Sequence, residues 1–241
     1  MRSGPRPRRV RRGLLAVALG GLALAPVGAP GPADGTLRAQ EAPASDPAVV
    51  PTGQRDILEA ADAARRKGAD DAPLRIVEIS DFECPYCAEF HDDAWPMVDS
   101  VYVRGGYARY LWISFPNSNH PRAWPAVEAA FCAGAAGRFW EMHDVLFDRQ
   151  EEWTEADDPH LRFVDYAGRI GVDRESFAAC LRNDQTAPLQ VSDYESAIRS
   201  GITSTPFFVV GDSVAVRGAV PAERFRAVVD SVLDARGLPG P

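Results

Sequence analysis

The sequence predicts a mixed α/β fold, with a βαβ segment and a ββα segment on either side of a block of helices. An apolar, β-branched run at residues 74–79 ends shortly before Cys84 and Cys87, where apolar residues take up helical spacing. Residues 121–200 carry apolar side chains at helical spacings and show no strand pattern. After residue 201, two short β-branched runs and an amphipathic pattern complete the chain. The strand-forming segments therefore lie at both ends of the domain.

Residues 1–39 have the three parts of a secretory signal peptide. An arginine-rich start is followed by an apolar run of 12 residues, 14–25, and then by small and proline-rich residues. This run is too short to cross a bilayer as a helix. Arg11 and Arg12 also resemble a twin-arginine signal, and cleavage is expected after Ala39. We therefore expect export to the periplasm or extracytoplasmic space of a bacterium.

The composition limits the class of partner. The chain of 241 residues has a net charge of −8, and removal of residues 1–39 would take away seven arginines and one aspartate. An acidic surface argues against nucleic acid or an anionic membrane as a partner. Four cysteines in an exported chain are expected to pair, because the compartment is oxidising. Three pairings are possible, and the spacing favours 84 with 87 and 132 with 180.

The first half of the fold is expected at residues 55–120. A flexible linker rich in proline and alanine is expected before it, at residues 40–54. The helix that begins at Cys84 contains Pro96, which removes a backbone hydrogen bond and should kink the helix. Residues 107–115 are aromatic and β-branched, which predicts the second strand.

A helical insertion is expected at residues 121–190, and the second half of the fold at residues 191–241. In that half, two β-branched runs flank a glycine-containing turn at residues 207–216, which predicts a β-hairpin. Pro221 opens a last helix with apolar side chains on one face. The predicted order is therefore β, α, β, helical block, β, β, α.

Cys84 and Cys87 lie where the first strand is followed by a helix. The first turn of a helix presents unpaired N–H groups and the positive end of the helix dipole, and both stabilise a thiolate. Pro85 presets the helical φ, and the two-residue spacing allows the sulfurs to form a small-ring disulfide. We therefore expect Cys84 to be the attacking thiol and Cys87 the resolving thiol.

A C-x-x-C pair has other uses. His91 lies one helical turn after Cys87, so Cys84, Cys87 and His91 could form part of a zinc site, although no second C-x-x-C or H-x-x-x-H completes it. Ala88 stands where a c-type haem site requires histidine. A purely structural disulfide over so short a loop would restrict the unfolded chain very little. The alternatives from other classes are a thiol-based metal-binding module and a peptide-binding chaperone.

Over roughly residues 55–236, the chain resembles the DsbA family of thioredoxin-fold thiol-disulfide oxidoreductases. The resemblance rests on FECPYC at 82–87, the helical insertion, FCAGAAGRFWEMHDVLF at 131–147, and Thr205-Pro206 before the third strand. It implies a thioredoxin fold, in which βαβ and ββα halves surround a central sheet, with an inserted helical subdomain. It also implies an enzyme that needs no cofactor and no metal.

The resemblance assigns four residues to the substrate side of the site. In the family, the proline that matches Pro206 is cis and lies against the active-site disulfide, so Thr205 would face the incoming substrate. An ordinary trans proline at the start of an edge strand is the alternative. Pro85 and Tyr86 would also contact substrate. Because the most oxidising members have histidine in place of Tyr86, we expect a less acidic Cys84 and a less oxidising couple here.

Glu78 matches a buried acid that lies beneath the cysteines in thioredoxin-like proteins. Burial would raise its pKa and let it exchange a proton with Cys87, whereas a glutamate facing water at the sheet edge is the alternative. Similar family members join the pair that matches Cys132 and Cys180 as a structural disulfide, and two buried free thiols are the alternative. Three aromatic or histidine side chains could line the groove, with core packing favoured for the last two: His120, His143 and Trp140.

The resemblance implies that the enzyme oxidises cysteine pairs in unfolded or partly folded exported proteins, through a mixed disulfide at Cys84. A membrane quinone-linked thiol oxidase or reductase would then recycle it. A disulfide reductase or isomerase would use the same residues in the reverse order. We favour the oxidase, because the family leans that way.

Overall fold

The computed structural model describes residues 46–241, so the predicted signal peptide at residues 1–39 and the first residues of the predicted linker lie outside the described part. The elements are α1 (Gln54–Ala64), β1 (Arg66–Lys67), β2 (Leu74–Ser80), α2 (Pro85–Asp93), α3 (Trp95–Met97), a π-helical stretch (Val98–Val103), β3 (Ala108–Ser114), α4 (Ala123–Ala135), α5 (Phe139–Asp148), α6 (Gln150–Thr154), α7 (Pro159–Arg169), α8 (Arg174–Arg182), α9 (Ala187–Arg199), β4 (Phe207–Val210), β5 (Val214–Arg217) and α10 (Ala222–Ala235). None of these helices is long and apolar enough to cross a membrane.

The strands form one five-stranded sheet in the order β1-β3-β2-β4-β5. β2 is central, parallel to β3 and antiparallel to β4. The β2-α2-β3 segment is the βαβ half, and β4-β5-α10 is the ββα half, so the predicted fold class is confirmed. β1 is an edge strand, antiparallel to β3. It was not predicted, because two residues are too few to show an alternating pattern.

The helix that carries the cysteines is interrupted near its predicted kink. α2 begins at Pro85, with Cys84 as the N-cap residue, and ends at Asp93. α3 contains Pro96 and passes into the π-helical stretch. Because proline lacks the N–H that a continuous helix needs, the helix continues past this point only as separate short segments.

The helical block lies between β3 and β4 in sequence. α4 is alanine-rich and buried over almost its whole length, which explains why its sequence shows no polar face. The block ends with α9, which runs to Arg199, beyond the predicted boundary at residue 190. Asp193 of α9 accepts hydrogen bonds from the Ser114 N–H (3.0 Å) and hydroxyl (3.1 Å) and pairs with the buried Arg65 guanidinium. These contacts fix α9 to the sheet.

The described part of the predicted linker is packed against the helical block. Ala48 forms an isolated bridge with Val172, and the Val50 N–H donates to Ser176 Oγ at 3.2 Å. The Val50 side chain is buried. These residues thus contact the helical block, and the flexible linker at residues 40–54 stays a prediction. One apolar anchor and a few backbone hydrogen bonds hold the segment, and neither leaves a periodic pattern in the sequence.

Candidate active site at the amino end of α2

Cys84 and Cys87 lie at the amino end of α2, beyond the carboxyl end of β2. The Cys84 carbonyl oxygen accepts hydrogen bonds from the N–H groups of Cys87 (3.1 Å) and Ala88 (3.2 Å), which begins the helix at this residue. Cys84 is 5% exposed and Cys87 is fully buried, and both are free thiols. Pro85 and Tyr86 are exposed between them. Of the two cysteines, only Cys84 retains contact with solvent.

The surroundings of Cys84 favour the thiolate. A hydrogen bond from the Cys87 thiol is the main cause that lowers the pKa of Cys84 to about 6, and the Thr205 side chain and two backbone N–H groups of the first helical turn contribute. Burial opposes this change, because it disfavours a charge. Cys84 is therefore ionised at neutral pH, which is the nucleophilic form of a cysteine.

Cys87 has the opposite character. Burial raises the pKa of the Cys87 thiol well above its ordinary value, and the hydrogen bond to Cys84 and the negative charge of Glu78 raise it further. Cys87 therefore keeps its proton while Cys84 gives up its own. A division into an attacking Cys84 and a resolving Cys87 requires such a difference in pKa.

Glu78 lies in β2 within electrostatic reach of Cys87. It is 2% exposed, which excludes the alternative of a glutamate facing water. Burial raises the pKa of Glu78 to about 7, although hydrogen bonds, including one of 2.8 Å from the Tyr110 hydroxyl, lower it in part. A carboxyl group in this state can hold or release a proton near neutral pH.

Thr205 and Pro206 lie beside Cys84. The peptide bond between them is cis, so the alternative of an ordinary trans proline does not hold. The Thr205 carbonyl oxygen is 3.7 Å from Cys84 Sγ. Because β4 follows directly and pairs with β2, the start of β4 lies next to the carboxyl end of β2. The structure thus brings this dipeptide and the cysteine pair together.

Two polar side chains that the sequence did not single out hold the loop before α2. Asp81 is fully buried, and its carboxylate accepts hydrogen bonds from the Glu83 N–H (2.8 Å) and the Asn117 N–H (2.8 Å). Gln150 Nε2 donates to the carbonyl oxygens of Phe82 (2.7 Å) and Cys84 (3.1 Å). Asp81 directly follows β2, the strand that precedes the cysteines, which was an available signal. Nothing near Gln150 in the sequence indicates its role, because its contacts depend on how the helical block packs.

His120 is close to the site. Its Nδ1 lies 2.6 Å from Asp81 Oδ2, and the side chain is 22% exposed. His143 is buried, which lowers its pKa to about 4, and the partly buried Trp140 packs against the core, where its ring stacks on Trp95 at 5.1 Å. The preference for core packing of these two residues agrees with their contacts.

The alternative metal site is not assembled. In residues 46–241, no cluster of three or more histidine, cysteine or carboxylate ligands contains Cys84 or Cys87. His91 turns to other partners, with Nε2 3.3 Å from Asp144 Oδ1. The alternative of a metal site made of Cys84, Cys87 and His91 therefore does not agree with the geometry of the structure.

Cys132 and Cys180 form a disulfide that joins α4 to α8. The two residues are 48 apart in sequence, and both are fully buried. The alternative of two free thiols does not hold. The bond lies within the core of the helical block, away from solvent.

Comparison with known proteins agrees with this architecture. A family model described as Thioredoxin matches residues 61–231. Among solved structures, Wolbachia pipientis alpha-DsbA1 is 21% identical with a TM-score of 0.64, and covers 71% of this chain and 91% of its own. Oxidised BdbD from Bacillus subtilis is 19% identical with a TM-score of 0.64, and covers 79% of this chain and all of its own. At these identities the likeness concerns the fold.

The curated relatives of this sequence are named as Na(+)/H(+) antiporters. The chain is 37% identical to Na(+)/H(+) antiporter NhaA 3 of Salinispora tropica over 145 residues, which are 60% of this chain and 21% of that protein. It is 33% identical to the NhaA antiporter of Herminiimonas arsenicoxydans, over 68% of this chain and 25% of that protein. The chain thus spans only about a fifth to a quarter of the length of these relatives.

Proposed function

The chain belongs to the thioredoxin family and has the fold of DsbA proteins, and from this premise we propose that it is a thiol-disulfide oxidoreductase that oxidises cysteine pairs in exported proteins. One observation carries the proposal. A thiol whose pKa is lowered to about 6 lies at a helix amino end, 3.7 Å from the carbonyl oxygen of Thr205. A reactive sulfur beside a stretch of unpaired backbone is what exchange with an extended peptide requires.

The substrate segment is proposed to bind along Thr205. Within residues 46–241 the Thr205 N–H has no hydrogen-bond acceptor, and its carbonyl oxygen contacts only Cys84 Sγ. An extended peptide can therefore pair with both groups, as an added strand does. Pro206, Pro85 and Tyr86 would contact the side chains of this peptide. Tyr86 offers 61% of its surface to such a contact.

Oxidation begins from the disulfide between Cys84 and Cys87. A substrate thiolate attacks Cys84 Sγ and forms the mixed disulfide, while the bond to Cys87 breaks and its electron pair passes to Cys87 Sγ. Glu78 is the proposed donor of the proton that Cys87 takes up. A second substrate thiolate then attacks the substrate sulfur of the mixed disulfide, so the substrate leaves oxidised and the enzyme leaves with two thiols.

The direction of electron flow follows from the stability of the reduced enzyme. A stabilised Cys84 thiolate makes Cys84 the better leaving group and favours the dithiol form, so the disulfide form is an oxidant. A reductase or isomerase would use the same residues in reverse. Equilibration with glutathione buffers separates the two: an oxidase couple is more oxidising than the glutathione couple, and a reductase couple is more reducing.

Export and recycling are parts of the same proposal. The proposed site of action is the periplasm or another extracytoplasmic space, and a membrane quinone-linked thiol oxidase is the proposed partner that restores the disulfide. The buried Cys132–Cys180 bond supports this location, because such bonds persist in oxidising compartments. The arginine-rich start and apolar run of residues 1–39 support the export route.

The test is oxidation of a reduced peptide with two cysteines by the purified oxidised protein. We expect one peptide disulfide per enzyme turnover and loss of the reaction in Cys84→Ser and in Cys87→Ser. The matched control is the double variant Cys132→Ala/Cys180→Ala, which removes the other two cysteines and should keep the reaction. Peptide oxidation that persists in Cys84→Ser would overturn the proposal.

A further inference from the structure

The Asp81 carboxylate is a buried charge that no step above has used. It is fully buried and accepts hydrogen bonds from two backbone N–H groups, those of Glu83 and Asn117, and from the His120 ring. The third partner is a titratable side chain, and it has the shortest contact of the three, 2.6 Å from Nδ1 to Oδ2.

This pair lies next to the reacting sulfur. The Cys84 N–H donates to the Asp81 carbonyl oxygen at 3.1 Å, so Asp81 and Cys84 are the two ends of one turn. The loop that carries His120 follows β3, and its Arg122 N–H donates to the Glu83 carboxylate at 2.6 Å. In the sheet, β2 lies between β3, which the His120 loop follows, and β4, which Thr205 precedes. His120 thus belongs to a loop that is hydrogen-bonded to the residues just before Cys84.

The orientation of the His120 ring is fixed by its partner. A carboxylate can only accept, so Nδ1 carries the hydrogen and Nε2 is left with its lone pair. Within the described residues, Nε2 has no hydrogen-bond partner, and the side chain is 22% exposed. A partly exposed histidine that a buried aspartate orients, with one ring nitrogen free, is the arrangement of a proton acceptor.

Oxidation requires such an acceptor. The incoming substrate thiol must lose its proton before it attacks, because the thiolate is the nucleophile. Glu78 and Cys87 are buried, and Cys87 itself supplies the leaving sulfur, so both are poorly placed for a proton that arrives from outside. The His120 side chain is 22% exposed, so a proton from outside can reach it.

We propose that His120 accepts the proton of the incoming substrate thiol, with Asp81 as the positioning residue; this inference rests on the proposed function. The S–H proton passes to Nε2, and the freed electron pair of the substrate sulfur forms the bond to Cys84 Sγ. The Cys84–Cys87 bond breaks, and its electron pair passes to Cys87 Sγ. In the reverse direction, protonated His120 returns the proton to the leaving substrate sulfur.

The test compares two thiols that differ in acidity. Oxidised wild-type protein and His120→Asn are mixed with a cysteine peptide or with an aromatic thiol that is already ionised at neutral pH, and the initial rates of disulfide reduction are measured. The asparagine amide can replace Nδ1 as donor to Asp81, so the loop is kept while Nε2 is removed. His160→Asn, at an exposed histidine in α7, is the matched control.

A thiol with a pKa of about 8.5 is roughly 3% ionised at pH 7. Loss of the proton acceptor can therefore slow the reaction of the cysteine peptide by about 30-fold at most. We expect His120→Asn and Asp81→Asn to react about tenfold more slowly with the peptide and at the wild-type rate with the aromatic thiol. Equal slowing with both thiols means a merely structural role and overturns the inference, and so does an unchanged rate with the peptide. A wild-type protein that oxidises neither thiol overturns the proposed function instead.

Discussion

The carbonyl oxygen of Thr205 lies 3.7 Å from Cys84 Sγ, although 121 residues separate the two in sequence. The sheet accounts for this contact. Ile79 near the end of β2 pairs with Phe207 at the start of β4, so the residues that follow one strand meet the residues that precede the other. A substrate backbone that pairs with Thr205 is therefore brought to the sulfur by the sheet itself.

Alkylation of reduced protein should report the thiolate of Cys84. Because the pKa of Cys84 is lowered to about 6, we expect the rate of reaction with iodoacetamide to reach half its maximum near pH 6. The Cys87 thiol is the main hydrogen-bond donor, so Cys87→Ala should move this midpoint upward. A wild-type midpoint close to that of a free cysteine, at about pH 8.5, would contradict the stabilised thiolate.

Glu78 should make stability depend on pH. Burial raises its pKa from 4.5 to about 7, so between these values the folded protein binds more protons than the unfolded chain. The stability that the protonated carboxyl group gives is complete below pH 4.5 and is lost as the pH rises through 7, by about 3 kcal/mol at most.

The measurement is denaturant unfolding of the oxidised protein at pH 5 and pH 8, so that Cys84 and Cys87 do not titrate. Between pH 5 and pH 8, Glu78→Gln should lose less stability than the wild type, whereas Glu141→Gln, at a surface glutamate paired with Arg138, should change as the wild type does. The same difference in Glu78→Gln as in the wild type would mean that another group is responsible.

Gln150 should contribute to stability through the loop that carries Cys84. Gln150→Ala removes the donor to two carbonyl oxygens, those of Phe82 and Cys84, in a part-buried setting. We expect a loss of about 1–3 kcal/mol in the free energy of unfolding. Gln54→Ala removes a comparable but exposed bond to the Gln185 carbonyl and is the matched control, with a loss below about 0.5 kcal/mol. Equal losses of stability in the two variants would show that the hydrogen bonds of Gln150 do not stabilise the loop that carries Cys84.

Local patterns were sufficient for most of the fold. The alternation of strand and helix periodicity around Cys84, and the amphipathic pattern after Pro221, depend on neighbours within a few residues, and both elements form where predicted. β1 was missed because only two residues pair there. The packing of residues 46–53 was also missed, because a single buried side chain, Val50, leaves no period.

The residues of the site also divide into those that the sequence predicted and those that it did not. The two-residue spacing of Cys84 and Cys87 predicts that they lie close together. The position of Thr205 beside them was predicted only from the family resemblance. The bond from His120 to Asp81 joins two loops 39 residues apart, and the bonds of Gln150 reach back 66 residues to Cys84. Such contacts are decided by how the helical block packs on the sheet, and no local pattern encodes them.

Trapping of a mixed disulfide tests the central claim, that Cys84 is the sulfur that exchanges with other proteins. Reduced Cys87→Ser is mixed with a peptide whose cysteine is activated as a disulfide, and the adduct is located by mass spectrometry after digestion without reductant. We predict one peptide bound at Cys84, formed faster at pH 7 than with a free cysteine peptide, and no adduct in Cys84→Ser. An adduct at Cys87 in Cys84→Ser, or the absence of an adduct at Cys84 in Cys87→Ser, would contradict the account.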